Sequence, residues 1–125
     1  MPLVYVVDDD AACRDSLRWL LESAGYAVST FPDAERFLKS GDADAAVCLV
    51  LDLCLPGMSG LALQEALASR GTTLPIVLIS AHGDEAAAAQ ALRNGAIGFL
   101  AKPFAEERLL DMLRHAQAAC AAADC

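Results

Sequence analysis

Four short apolar runs in this chain each end in a reactive group. Leu3-Val4-Tyr5-Val6-Val7 runs into Asp8-Asp9-Asp10, and Ala46-Val47-Cys48-Leu49-Val50-Leu51 runs into Asp52. The run 75–79 ends in the hydroxyl of Ser80, and the run 97–101 ends in Lys102-Pro103. Continuous apolar runs of this length mark strands buried on both faces, so each group stands at a strand exit. Carboxylates gathered in one place repel and desolvate badly unless a cation joins them. Mg²⁺ takes hard oxygen ligands and bridges to phosphate oxygens. A carboxylate is also a nucleophile towards phosphorus, in a reaction that depends on positioning and charge neutralisation. Lys102 would meet phosphate oxygens as a point charge, and Ser80 would hydrogen-bond another. Taken singly these features are weak: Asp-Asp is usually a solvated loop or cap, Lys-Pro is common, and a Ser at a strand end usually caps a helix. Acid cluster, acid, hydroxyl and ammonium at successive strand exits together describe a site for Mg²⁺ and a phosphoryl group.

The elements that must position these groups alternate along the chain. Strands are expected at about 3–7, 27–31, 46–51, 75–79 and 97–101. The second carries Ser29 and Thr30, is less apolar than the others, and reads as an edge strand. Helices are expected at about 11–24, from Asp33 as N-cap to near Ser40-Gly41, at 60–69, at 84–93 and from about 105 onward. Gly25, Gly71 and Asn94-Gly95 supply helix stops. Leu17, Leu20, Leu21 and Ala24 form the apolar face of the first helix, with Trp19 beside it and partly packed. Leu109, Leu110, Met112, Leu113 and Ala116 line the last. The reading is an α/β fold, a (βα)₅ doubly wound five-stranded parallel sheet of order 2-1-3-4-5, flavodoxin-like. In such a sheet ligands bind beyond the strand C-termini where strand order reverses, here between strands one and three, which brings Asp8, Asp9 and Asp52 together.

Length and composition narrow the classes. A chain of 125 residues is read as one domain able to bury its own core. The domain is expected over 1–120, with 121–125 a tail or the start of a linker. The net charge of −8 argues against direct nucleic-acid binding, which needs clustered Lys and Arg. No apolar run approaches the ~18 residues that span a membrane. No basic segment precedes Leu3, so a signal peptide is not expected. The cysteines, Cys13, Cys48, Cys54, Cys120 and Cys125, are odd in number and lack Cys-x-x-Cys or zinc spacing, which points to a reducing, cytoplasmic compartment.

At these residues the chain resembles the receiver domain of two-component response regulators. The resemblance rests on Val6-Val7-Asp8-Asp9-Asp10, on Leu51-Asp52-Leu53-Cys54-Leu55-Pro56-Gly57-Met58-Ser59-Gly60, on Ile79-Ser80-Ala81-His82-Gly83-Asp84, and on the segment Gly95 to Phe104. The last two look most like the nitrogen-fixation regulator subgroup, whose members usually carry a C-terminal helix-turn-helix domain. The resemblance implies that Asp52 is the phosphoacceptor. It implies that Asp9, Asp52 and the backbone carbonyl of Cys54 ligate Mg²⁺, with Asp8 acting through water. Ser80 and Lys102 would bind the phosphoryl group, and Phe99 would be an aromatic switch following Ser80. It also implies a cis Lys102–Pro103 peptide. The partner would be a sensor histidine kinase, and phosphorylation could favour a homodimer through helix four, strand five and helix five. Cys54 and Leu55 depart from the commoner family residues, Ser80 stands for the more usual Thr, and Phe99 lacks the phenol of Tyr. Such a module is not an enzyme beyond its own phosphorylation and dephosphorylation. Its expected output is transcription, through a domain outside this chain. The alternatives are a stand-alone receiver acting by protein–protein contact and an Mg²⁺-dependent aspartyl-phosphate phosphohydrolase. The second fits poorly, because Cys54 stands where such enzymes place a general acid.

Overall fold

The computed structural model describes residues 2–42, 45–53, 55–72, 74–80 and 85–123, with side chains described as far as 118. Five strands, β1 (Leu3–Val7), β2 (Ala27–Phe31), β3 (Cys48–Asp52), β4 (Ile76–Ser80) and β5 (Gly98–Ala101), form one parallel sheet ordered β2-β1-β3-β4-β5. They alternate with α1 (Ala11–Ser23), α2 (Ala34–Ser40), α3 (Gly60–Ser69), α4 (Glu85–Arg93) and α5 (Glu106–Ala123). β2 takes the edge, as its polar residues required.

The apolar runs are continuous because alternate residues serve two cores. Val4, Val6, Cys48, Val50, Val77, Ile79 and Leu100 face α1 and α5, where they meet Leu17, Leu21, Leu109, Leu113 and Ala116. Tyr5, Val7, Leu49, Leu51, Ile76 and Leu78 face the other side, with Phe37, Leu63, Leu67, Ala88 and Ala91. Tyr5, Phe31 and Phe37 meet edge to face at centroid distances of 5.2–5.7 Å. Side-chain oxygens of Asp10, Asp33 and Ser59 accept backbone N–H groups at the starts of α1, α2 and α3. At the far end of α4, Gly95 takes a φ of 110°, a conformation that side chains other than glycine rarely adopt.

Some expectations shift. β3 begins at Cys48 rather than 46 and includes Asp52, and β4 begins at Ile76 and includes Ser80. Asp52 is in ladder register with Ile79 and Ser80 with Ala101, so the sheet extends through the functional residues. Ala24 is exposed at the C-cap of α1 rather than on its buried face. Trp19 is 70% exposed, because the buried stripe of α1 is confined to Leu17 and Leu21 with Leu20 at its margin.

Candidate phosphoryl-transfer site

The alternation that sorts the core also sorts the site. Asp8 continues the series Val4, Val6, and Asp52 continues Cys48, Val50, so both carboxylates leave the sheet on the α1/α5 side. Lys102 follows Leu100 on the same side. Ser80 continues Ile76 and Leu78 towards the opposite side, where Phe99 also packs, half-buried, in ladder register with Leu78. The acids and the ammonium therefore share one side of the strand exits, and the hydroxyl and the aromatic ring share the other.

The three consecutive aspartates have separate environments. Asp8 is fully buried, Asp9 is exposed, and Asp10 turns away to cap α1 at Ala12 N–H, 3.0 Å. Carboxylate oxygens of Asp8, Asp9 and Asp52 lie within 4.8 Å of one another. Lys102 Nζ bridges two of them, donating to Asp8 Oδ2 at 2.8 Å and to Asp52 Oδ2 at 3.2 Å. The Lys102–Pro103 peptide is cis, as expected. Burial by itself would push the Asp8 carboxyl up. The Cys13 thiol, the Lys102 ammonium and the Asp10 N–H, 2.9 Å from Oδ1, together outweigh it and hold Asp8 below the usual carboxylate range. Burial likewise opposes the Lys102 ammonium, but the hydrogen bond and charge of Asp8, then those of Asp52, raise its pKa. Asp8 and Lys102 are thus charged at neutral pH. The Cys13 thiol is pushed up to about 12 by its burial and by Asp8, which keeps it protonated.

Asp8, Asp9, Asp52 and Lys102 are brought together. Ser80 is fully buried on the neighbouring strand, and its carbonyl accepts the Lys102 N–H at 2.7 Å. Cys54, whose carbonyl was expected to ligate metal, lies outside the described residues, as does His82. Sequence reasoning missed three supports. Cys13 lies against Asp8 from the first turn of α1. Arg14 Nη1 donates to the Asp8 carbonyl at 2.7 Å. Gly60 packs so closely under the site that a Cβ there would lie 2.7 Å from the Asp52 carbonyl oxygen and 2.9 Å from Leu53 Cα. For Gly60 the signal was a glycine at a helix start, where a cap or good helix former would be ordinary. For Cys13 and Arg14 no sequence signal was available, since both look like ordinary helix-surface residues.

A doubly wound parallel sheet with an acid cluster at its switch point and a lysine bridging the acids from the last strand is the architecture of a phosphoryl-accepting signalling domain. The response regulator receiver domain profile matches residues 4–114, and the chain belongs to that family. Transcriptional regulatory protein TdiR of Thauera aromatica is 47% identical over 92% of this chain and 51% of its own length. Transcriptional regulatory protein FixJ of Bradyrhizobium diazoefficiens is 42% identical over 90% of this chain and 55% of its own. The solved structure of the response regulator StyR superposes with a TM-score of 0.91 at 46% identity, covering 98% of this chain and 62% of that one. The chain spans about half the length of the curated relatives it matches.

Proposed function

We propose that the domain takes a phosphoryl group onto Asp52 from a phosphohistidine on a sensor histidine kinase, or from a small acyl phosphate, and thereby switches an output. The observation that carries this is the Asp8–Asp9–Asp52 cluster with Lys102 across it, in a chain of the receiver family. In the reaction an Asp52 carboxylate oxygen bonds to phosphorus as the donor's P–N or P–O bond breaks and the bonding pair leaves with the donor. Lys102 already lies 3.2 Å from Asp52, so its ammonium can follow the phosphoryl oxygens with a small movement. The Ser80 hydroxyl donates to another phosphoryl oxygen.

Receiver domains bind Mg²⁺ at such a pocket, and the donor set here fits: hard carboxylate oxygens, within bridging distance, at the switch point of the sheet. Asp9 and Asp52 would hold the ion directly and Asp8 through water, and the ion would supply positive charge to the transferring oxygens. The single positive charge of Lys102 is shared between Asp8 and Asp52 in the structure. Its departure towards a phosphoryl group leaves Asp8 needing another cation, which ties phosphorylation to metal.

The output is transcriptional, as the names of the half-matched relatives support, and we assign it to a helix-turn-helix domain that is not within this segment. The receiver itself spans 1–120. Phosphorylated, it pairs with a second copy through α4, β5 and α5. No described helix is long and apolar enough to cross a membrane, and we place the domain in the cytoplasm. Incubation with acetyl phosphate and Mg²⁺ is expected to add one phosphoryl mass, and Asp52→Asn to abolish the gain. Undiminished labelling of Asp52→Asn would refute the assignment.

A further inference from the structure

α4 has a slight apolar anchor. Its buried residues are Ala88 and Ala91, each offering one methyl group. Its last turn is held differently. Gln64 of α3, only 5% exposed, donates from Nε2 to the Ala91 carbonyl at 2.9 Å. That carbonyl already accepts the Ala96 N–H at 3.1 Å, in the cap formed where Gly95 turns the chain, so it has a partner without Gln64. The other half of the amide, Oε1, is buried and meets no donor among the described residues. Turning the amide over would aim that oxygen at the Ala91 carbonyl, so its orientation is fixed. A buried acceptor left unmet offsets what the donor gains, and the amide adds little net stability. Its effect is geometric. A cavity of about 220 Å³, lined by Gln64, Leu67, Asn94, Gly95 and Ile97 among others, opens at the ends of these helices, beyond the packing of Leu63 and Leu67 on Ala88 and Ala91, and the Gln64 bond is a polar tie beside it. The first turn of α4 differs: Glu85 and Ala86 are exposed and Ala87 only partly buried.

We infer that Gln64 is the pivot of α4, a positioning residue that pins the helix's last turn to α3 while its first turn, the end of the helix nearer Ser80 in sequence, swings when the site changes state. The inference rests on the phosphoryl-switch reading for what drives the swing. The pin itself is present without phosphate.

The test is Gln64→Met, which keeps length and removes both polar groups, with Gln64→Leu as a second variant. Wild type and variant are compared by amide NMR before and after acetyl phosphate and Mg²⁺, with intact mass recorded on the same samples. At a concentration low enough to keep the phosphorylated protein monomeric, phosphorylation of the wild type should move the resonances of 85–90 and leave those of 94–96 nearly in place. In the variant the 94–96 resonances should move as well. Before phosphorylation the Asn94, Gly95 and Ala96 amides of the variant should exchange about fivefold faster than in wild type, while its unfolding midpoint is not lowered. Exchange at 94–96 unchanged in both variants, or 94–96 moving as far as 85–90 in phosphorylated wild type, overturns the pivot. So does a lowered midpoint with unchanged exchange, which marks a purely structural residue. Absence of the mass gain counts against the phosphoryl reading, and exchange in the unphosphorylated pair then decides the pin by itself.

Discussion

Lys102 is the residue on which the resting site depends. With the Cys13 thiol and the Asp10 N–H, its ammonium keeps a fully buried Asp8 ionised beside Asp52, at 2.8 and 3.2 Å. Because the folded pKa of Asp8 is depressed, its ionisation contributes stability above the unfolded value of about 3.9, and that contribution is lost as pH falls through the folded value. Removing the ammonium leaves only the Cys13 thiol and the Asp10 N–H against burial: the carboxyl pKa rises from its wild-type position, and its ionisation contributes less at neutral pH than before, a loss that protonation relieves. Lys102→Met is therefore expected to be less stable by about 2–3 kcal/mol near pH 7, somewhat below the ~3–5 kcal/mol of a broken fully buried pair because the Lys102 side chain is 20% exposed. The deficit should shrink towards about pH 4.5, and also on adding Mg²⁺. Urea unfolding at the two pH values, with and without the metal, checks this, and a pH-independent deficit contradicts it. Asp9 is the opposite case: exposed, and a member of the cluster by proximity alone. Asp9→Ala should lower Mg²⁺ affinity on the order of tenfold or more, yet be no less stable without metal, because a like charge has been removed. An unchanged Mg²⁺ titration of that variant would count against Asp9 as a ligand.

At the scale of elements, the sheet decides which groups meet. Asp8 and Asp52 converge because β1 and β3 are neighbours at the switch point and both residues continue the same alternate series. This was legible in the sequence, since apolar runs ending in acids carry strand, direction and exit at once. The boundaries were less legible. An Asp or Ser ends an apolar run by composition, yet Asp52 and Ser80 still belong to the ladder because backbone pairing ignores side-chain polarity. What lay beyond reach was the close approach between elements. Gly60 opens α3, and its N–H donates to the Leu53 carbonyl at 3.2 Å, so the start of the helix lies directly against the end of β3. A Cβ at 60 would meet backbone atoms of Asp52 and Leu53, which cannot turn aside as a side chain would. Gly60→Ala is expected to cost about 1–3 kcal/mol and to displace Asp52. Its phosphoryl uptake from acetyl phosphate should be slower, beyond any loss of folded protein. Wild-type uptake at matched folded fraction, from intact-mass time courses alongside urea midpoints, would show that the contact supports only the fold.

At the scale of the whole molecule, charge and apolar surface act against each other. The net charge of −8 makes two copies repel, while Leu92 at the end of α4 and Ile97 at the entry to β5 are 43% and 41% exposed. Two exposed aliphatic residues bury too little area for a standing dimer. They suit an interface that forms only when the α4–β5 region is rearranged, and α4, anchored at one end and light in apolar contact, is the element able to supply that rearrangement. Ser80 and Phe99 share the side of the sheet that α4 covers, so movement of Ser80 towards a phosphoryl group at Asp52 would open space for the Phe99 ring directly beneath that helix. Sedimentation velocity with Mg²⁺ and a beryllofluoride phosphate mimic should therefore show a dimer that is absent without the mimic. Salt should strengthen it, by screening the like charges over a Debye length of about 10 Å or less. Ile97→Asp should remove the dimer while leaving uptake of phosphoryl by Asp52 intact, and Ser80→Ala should uncouple the two. A sedimenting mass unchanged by the mimic at both low and high salt would rule out self-association as the output of this domain.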